Sequence, residues 1–328
     1  NEETLNEAFF DLLCIDSLAG LFYPLELNPH LGVLKKACDM RLGFRCNSVS
    51  EFKMLMGLLP KIDPQCMLIR GNDEDPVAVS RAVEGGASLV LSDPQGLEAY
   101  PFTEKLYMRL DGRAVSEAQP VQEGLVKGFY HTNFLTGDNA AELICRLKEA
   151  AKRFPQASNL ILGNSTAPDS RLSKARIGIS DIEEHLEAIK CACPWFLLWL
   201  EMPATVLSSV GIMLVKTIER GEKAGRPYSR INADVKPQMS RRYRRTGHRL
   251  ANLTRSDEGE LATTRIMGRN QACDDALDLE IPASTRVDDV MLITDMGAYD
   301  PGERHSDAGR DGVPEHYLRA RRICQVRL

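Results

Sequence analysis

Several things are missing from this chain of 328 residues. No stretch of about 18 consecutive apolar residues occurs, so no membrane-spanning helix is expected. The most apolar segment, Cys193 to Met202, is too short and reads as a buried strand. The six histidines show neither H-x-x-x-H nor H-E-x-x-H spacing. The nine cysteines include one C-x-C, Cys191 and Cys193, but no second pair at zinc spacing. A metal site therefore has no support. The start, Asn1-Glu2-Glu3, does not read as a secretory signal. An odd cysteine count without such a signal suggests reduced, mostly buried thiols and a cytoplasmic location. For the same reason the N-x-[ST] triplets at Asn164 and Asn252 read as chance. A strong positive charge is also absent: the net charge of −5 argues against a general nucleic-acid binder.

What is present is the composition of a soluble globular chain, 43% hydrophobic and 27% charged. The charge is uneven. Arg241, Arg242, Arg244 and Arg245, with His248 and Arg249, form a basic segment, and Arg319 to Arg327 is another. Either a solvated face or a site for an anion or acidic partner would account for them.

The first two hundred residues alternate short apolar runs with capped helices. Strands are predicted at 21–27, 43–46, 66–69, 88–91, 106–110, 160–162 and 196–200. Between them, Leu31, Val33, Leu34, Ala37 and Cys38 share one helix face. Asp75 and Pro76 start another helix, which Gly85-Gly86 closes. Asn139 with Glu142 forms a capping box for a helix with Leu143, Ile144, Leu147, Ala151 and Phe154 inward. About seven strands in this order fit a (β/α) TIM-like barrel. After Glu201 the helices cease, and long strands indicate an antiparallel β domain. The expected division is 1–205 for the barrel and 206–328 for the β domain.

Several segments resemble a known family. Tyr23-Pro24-Leu25-Glu26-Leu27-Asn28-Pro29-His30 is similar to Tyr-Ala-Val/Met-Lys-Ala-Asn-Pro-His. Leu31 to Glu51 resembles AVLRTLAEEGFGFECVSLGEI, and Leu68 to Asn72 resembles LLFTPN. Leu198 to Val215 is similar to LVVEPGRYLVAEAGVLL, Asn252 to Arg255 to NLSR, and Gly297-Ala298-Tyr299 to GAY. In this order and spacing they resemble the fold III (alanine racemase-like) pyridoxal-phosphate (PLP) decarboxylases, in particular diaminopimelate decarboxylase. That resemblance implies a barrel followed by a β domain, a PLP cofactor and a dimer. The stretch between residues 163 and 195 is shorter than the family's, which leaves room for an incomplete barrel.

The resemblance also implies what has been lost. The family's Schiff-base lysine reads Glu26. Its Glu-Pro-Gly-Arg, which holds the pyridine nitrogen and the phosphate, reads Glu201-Met202-Pro203-Ala204, so the Glu remains and the Arg does not. The glycine-rich phosphate loop has no counterpart beyond Arg176 to Ser180, and the ring-stacking histidine falls near Thr166. The motif donated across the family's dimer reads Gln271 to Asp275, with only Asp275 kept. The substrate-clamping arginine reads Ser240, whereas Tyr299 is kept. No cofactor is therefore expected. Three readings follow. One is a non-catalytic homologue acting as scaffold or regulator in a homodimer, or in a heterodimer with an active paralogue or pathway enzyme. The second is a PLP-independent enzyme using Glu26 and Glu201 as acid and base, one pKa raised by the other. The third is an anion or acidic-partner module using Arg241 to Arg249.

Overall fold

A computed structural model describes residues 1–70, 75–92, 105–110, 126–132, 140–163, 178–233, 249–255, 259–269, 277–298, 317–319 and 322–324. The first helix, α1 (Glu2–Leu13), is capped by the Asn1 side chain and buries Leu5, Phe9 and Leu12. Strands β1 (Leu18–Pro24), β2 (Gly43–Cys46), β3 (Met67–Arg70), β4 (Ser88–Leu91), β5 (Leu106–Arg109), β6 (Val126–His131), β7 (Asn159–Leu162) and β8 (Leu197–Glu201) then pair in chain order and close into a parallel barrel. Among the described helices, α2 (Leu31–Asp39), α3 (Val49–Leu58), α4 (Pro76–Glu84), α5 (Ala140–Arg153) and α6 (Ile179–Ala192) alternate with the strands.

The local signals act as their chemistry requires. Ser48 Oγ accepts from the Glu51 amide at 3.1 Å to start α3. Asp75 accepts from the Val77 amide at 3.0 Å, with Pro76 first in α4. Gly86, at φ 115°, ends that segment in a backbone conformation that a side chain would strain. Leu143 and Leu147 of α5 are buried with Phe154, while Ile144 and Ala151 are only partly covered. The Asn139 cap lies outside the described residues.

Three expectations need correction. The barrel has eight strands, not about seven, and it is complete. The strand missing from the sequence reading is β6, and the region thought too short, 163–195, still carries α6 between β7 and β8. The first strand also stops earlier, at Pro24, because Leu25 to Leu27 form a turn. Glu26 therefore sits in the loop just beyond β1. Finally, the second sheet is mixed. After the short helix α7 (Ala204–Ser208) come β9 (Met213–Lys223), β10 (Arg226–Ile231), β11 (Leu250–Asn252), β12 (Leu261–Met267), β13 (Leu277–Pro282) and β14 (Val290–Ile293). They are ordered β11-β14-β9-β10-β12-β13, and β10 and β12 run parallel. Strands β15 (Tyr317–Arg319) and β16 (Arg322–Cys324) form a separate hairpin.

The strand registers sort the inward positions of the barrel into layers drawn from alternate strands. Gly43, Ser88, Gly128 and Trp199 form one layer, and Phe22, Leu68, Tyr107 and Ile161 the next. Glycines make room for the large groups. A Cβ on Gly43 would lie 2.4 Å from the Phe22 ring, and one on Gly128 would lie 2.3 Å from the Asn159 carbonyl. Trp199 Nε1 donates to Asn159 Oδ1 at 3.1 Å, which satisfies the indole inside the barrel.

The second sheet is tied to the barrel through Gly297. Its carbonyl accepts from Asn28 Nδ2 at 3.1 Å, and its amide donates to Ser208 O at 3.0 Å. Two segments that carry the family resemblance thus meet in space through Asn28 and Gly297. A third, Asn252 to Arg255, forms a buried cluster: Asn252 Nδ2 donates to Thr285 Oγ1 at 3.2 Å and to Asp289 Oδ2 at 2.9 Å. With Asn252 1% exposed, that triplet is closed to glycosylation in the folded chain; Asn164 lies outside the described residues. Of the described cysteines, Cys46 and Cys193 are buried as expected, but Cys14, Cys66, Cys145 and Cys191 are exposed, and all are free thiols.

Gly128→Ala is expected to lower stability by about 1–3 kcal/mol, because its Cβ would meet rigid backbone rather than a movable side chain. Urea denaturation of the variant beside the parent chain measures the loss, and an unchanged midpoint would contradict the layer packing.

Candidate functional site at the barrel mouth

Above the apolar layer lies one of different character: Arg45, Val90, Tyr130 and Glu201. Arg45 is 1% exposed and Glu201 is 1% exposed. Neither charge could stand there alone, since a bare buried ion costs several kcal/mol. Arg45 Nε lies 2.7 Å from Glu201 Oε1. The contact is ionic rather than an aligned hydrogen bond, as that nitrogen has no hydrogen-bond partner. At its other end, Arg45 donates to Glu26, from Nη2 to Oε1 at 2.9 Å and from Nη1 to Oε2 at 3.3 Å. Asn47 joins in, its carbonyl oxygen accepting from Arg45 and its amide nitrogen donating to Glu26. Tyr130 Oη donates to Glu201 Oε1 at 2.6 Å. A Cβ on Gly163 would lie 2.7 Å from that phenol oxygen, so the glycine keeps this bond possible.

The two carboxylates expected at the mouth are therefore both there, at the C-terminal ends of the strands. A guanidinium separates them. Burial alone would push the Glu26 carboxyl up. The charge of Arg45, hydrogen bonds from Arg45 and Asn47, and the charge of Arg70 outweigh it and hold the group at about 2, against an ordinary 4.5. The raised pKa expected of a facing carboxylate pair is thus corrected for Glu26, because the cation next to it dominates. Burial likewise opposes the charge on Arg45, but Glu201, Tyr130 and Glu26 hold it protonated well above the ordinary range. Burial and the neighbouring Glu201 raise the Tyr130 phenol, which stays a donor.

Arg45 was not singled out in the sequence. The available signal was in the segment 43–46, Gly-Phe-Arg-Cys, which resembles the Gly-Phe-Glu-Cys of AVLRTLAEEGFGFECVSLGEI. Relative to that pattern two charges have the opposite sign: Glu26 stands where the pattern has a lysine, and Arg45 where it has a glutamate. Arg70 and Arg109 were also missed. They point inward from the last residues of β3 and β5, in the layer above Arg45. Arg70 Nη2 lies 3.4 Å from Tyr130 Oη, with its guanidinium 5.9 Å from the ring centre. Arg109 donates to Ser92 Oγ at 3.1 Å and Thr132 Oγ1 at 3.3 Å.

Ala204, which the sequence resemblance aligns with a phosphate-holding arginine, is the first residue of α7. Arg241, Arg242, Arg244, Arg245 and His248 lie outside the described residues, as do Ser240, Thr166, Arg176, Gln271, Asp275 and Tyr299. No group of His, Cys, Asp and Glu that could hold a metal occurs among the described residues, and no described helix is long and apolar enough to cross a membrane.

No protein-family model and no curated protein matches the sequence. Solved structures do match the fold. Diaminopimelate decarboxylase from Helicobacter pylori, complexed with L-lysine, superposes with a TM-score of 0.78 at 13% identity, covering 98% of this chain and 91% of that one. The Paramecium bursaria Chlorella virus arginine decarboxylase bound to agmatine gives 0.74 at 15% identity, covering 90% of each chain. Lysine decarboxylase from Selenomonas ruminantium gives 0.73 at 16% identity, covering 93% and 88%. The chain thus has the barrel-plus-sheet fold of the fold III PLP-dependent decarboxylases.

Replacing Arg45 with Met should cost about 3–5 kcal/mol, because Glu201 would be left charged and buried without its cation. Denaturant unfolding reads this directly. Glu26 makes a pH prediction. Its folded pKa is lowered, so its stabilising effect is present above about 4.5 and is lost as pH falls through about 2. Acid titration of the unfolding free energy should show this decline, and Glu26→Gln should flatten it.

Proposed function

We propose that this chain is a non-catalytic counterpart of the decarboxylases that share its fold, acting as a scaffold or regulatory partner. The observation that carries this reading is Arg45. Its guanidinium is bound at one end to Glu26, which stands where the resembled pattern has the Schiff-base lysine. At the other end it meets Glu201, the carboxylate that in that pattern holds the pyridine nitrogen. The two groups that would grip the two sides of a PLP ring are instead gripping an arginine. A carboxylate cannot form an imine with the aldehyde. No inward position of the described barrel strands is a lysine. The residues present do not fit PLP held in that manner.

The same geometry weighs against acid–base catalysis by Glu26 and Glu201. A carboxyl held at about 2 is a poor proton acceptor near neutrality.

A partner role has its own support on the second sheet. The outer face of β9 and β14 exposes Ile212, Leu214, Ile218 and Val290, with Leu253 beside them. Lys216, opposite Val290, interrupts this face, and exposed apolar side chains grouped around a charge are a feature of surfaces that associate. The reading includes a homodimer, or a heterodimer with an active paralogue or pathway enzyme, formed through this face.

Incubation of the purified chain with PLP should give no imine absorption band, and borohydride should fix no PLP to the chain. A reducible adduct on any lysine would overturn the proposal. Light scattering should report an assembly larger than one chain, alone or with the partner enzyme, and Leu214→Lys should return it to monomer mass. An unchanged assembly in Leu214→Lys would remove this face as the contact.

A further inference from the structure

Strand β9 outruns the sheet it belongs to. It pairs with β14 only over 213–216. Thr217 makes the last two backbone bonds on that side: its amide donates to Asp289 O at 2.9 Å, and its carbonyl accepts from the Asp288 amide at 2.8 Å. Residues 218–223 then continue as a two-stranded ribbon with β10, turned back by Ala224 at φ 52° and Gly225 at φ 73°. Among the described residues, only the backbone of β10 pairs with the backbone of 218–223. The other side of this segment is, among those residues, an open strand edge, and such an edge is a template for a further strand.

The order of side chains along that edge is specific. Arg230 pairs with Glu219 and Ile231 with Thr217, so Ile218 is a one-residue bulge and the alternation starts afresh at Glu219. Glu219, Gly221 and Lys223 share one face, on which Glu219 accepts from Tyr228 Oη at 2.6 Å and from Arg230 Nε at 2.8 Å. Arg220 and Glu222 share the other, on which Arg220 donates to Ser229 Oγ at 2.9 Å. Gly221 leaves room for the Tyr228 ring, which a Cβ would approach to 2.8 Å. Glu219-Arg220-Gly221-Glu222-Lys223 thus carries the charges −, +, 0, −, +. Read backwards, every sign is reversed. An antiparallel copy centred on Gly221 sets Arg220 opposite Glu222 twice on one face and Glu219 opposite Lys223 twice on the other. The neighbouring registers that keep the faces aligned centre on Arg220 or on Glu222, and set like charge against like. A charged edge deters unrelated strands; this one matches its own reversal in one register.

We propose that the β9 edge at 219–223 is a self-recognition site, to which a second copy of this chain adds its own β9 antiparallel about a twofold axis through Gly221. The two sheets then run on as one. Their apolar faces around Leu214 lie side by side on the same surface, so the edge contact is separate from any contact through that face. The inference goes beyond the partner role proposed above and does not depend on whether the barrel is catalytic. A five-residue ladder is far smaller than the roughly 1,200 Å2 or more of a stable complex, so the pairing is weak and reversible.

Sedimentation of the full Leu214→Lys chain, in a series rising to about 1 mM, isolates the edge from the apolar face. It should show reversible monomer–dimer association, weakened by added salt. Amide exchange over 218–223 should slow as the protein concentration rises. The double variant Glu222→Lys with Lys223→Glu, made in the same background, leaves the net charge unchanged and sets like charges opposite at all four pairs. It should weaken association about tenfold or more while keeping the circular dichroism and unfolding midpoint of the Leu214→Lys chain. Absence of association throughout the series, association undiminished by the double variant, or amide exchange over 218–223 that ignores concentration would overturn the site. An assembly that persists undiminished in Leu214→Lys on dilution would instead remove the apolar face as a contact, and a reducible PLP adduct would sink the non-catalytic reading, so these failures are separable.

Discussion

The buried Arg45 guanidinium is the constraint around which the barrel mouth is built. Arg45 stands on β2 and Glu201 on β8, with β1 between them. Their contact therefore crosses the seam at which the first and last strands close the barrel. The charge cannot be hydrated, so every nitrogen must face an oxygen of the protein. That requirement places Glu26 in the turn after β1, turns the Asn47 side chain inward, and leaves Glu201 to take a second bond from Tyr130. Pro24 ends the strand at the right place for this: one more residue in β1 would alternate Glu26 along the strand rather than fold it back over Arg45.

Below that polar layer, the barrel works by size rather than charge. Trp199 and Phe22 are too large to sit opposite other side chains, and Gly20 and Gly43 lie where those rings project. Gly163 performs the same service one level up, for the Tyr130–Glu201 bond. A glycine at each of these places costs strand propensity, yet a side chain would cost more. The packing and the ion network are thus coupled: the Tyr130 ring stands in the core cluster with Phe22, Tyr107 and Ile161, while its hydroxyl belongs to the network.

This division explains what the sequence disclosed. Strands such as Leu160 to Leu162 and Ser88 to Leu91 are continuous apolar runs, and such runs in βα alternation imply a parallel barrel. Strand β6 escaped notice because Val126-Lys127-Gly128-Phe129-Tyr130-His131 mixes charge and glycine with its apolar residues. Only the barrel context, with Gly128 against Asn159 and Tyr130 hydrogen-bonded to Glu201 in the same layer, makes sense of that mixture. The parallel pairing of β10 with β12 joins residues 37 apart, as Tyr228 with Arg265, and no local pattern encodes it. Glu26 and Glu201 were legible as carboxylates at strand ends. Their relation was not, because it depends on a third residue on another strand. A lone arginine in a four-residue strand reads as an exposed charge until the strand is known to face a barrel interior.

The opposite charges at 26 and 45 have a physical logic together that neither has alone. A glutamate introduced beside an unchanged glutamate would bring Glu26, residue 45 and Glu201 together as three anions in a closed site. An arginine introduced beside an unchanged lysine would leave two cations sharing Glu201. Like charges at such separations are costly where water is excluded. Both changes together restore a balanced set, with one guanidinium between two carboxylates and a neutral phenol and amide completing the bonds. The mouth is then saturated on one side by its own side chains, as a ligand would otherwise saturate it. Arg70 and Arg109 lie outside that closed set, on the opposite half, where they reach Tyr130 and the Ser92 and Thr132 hydroxyls.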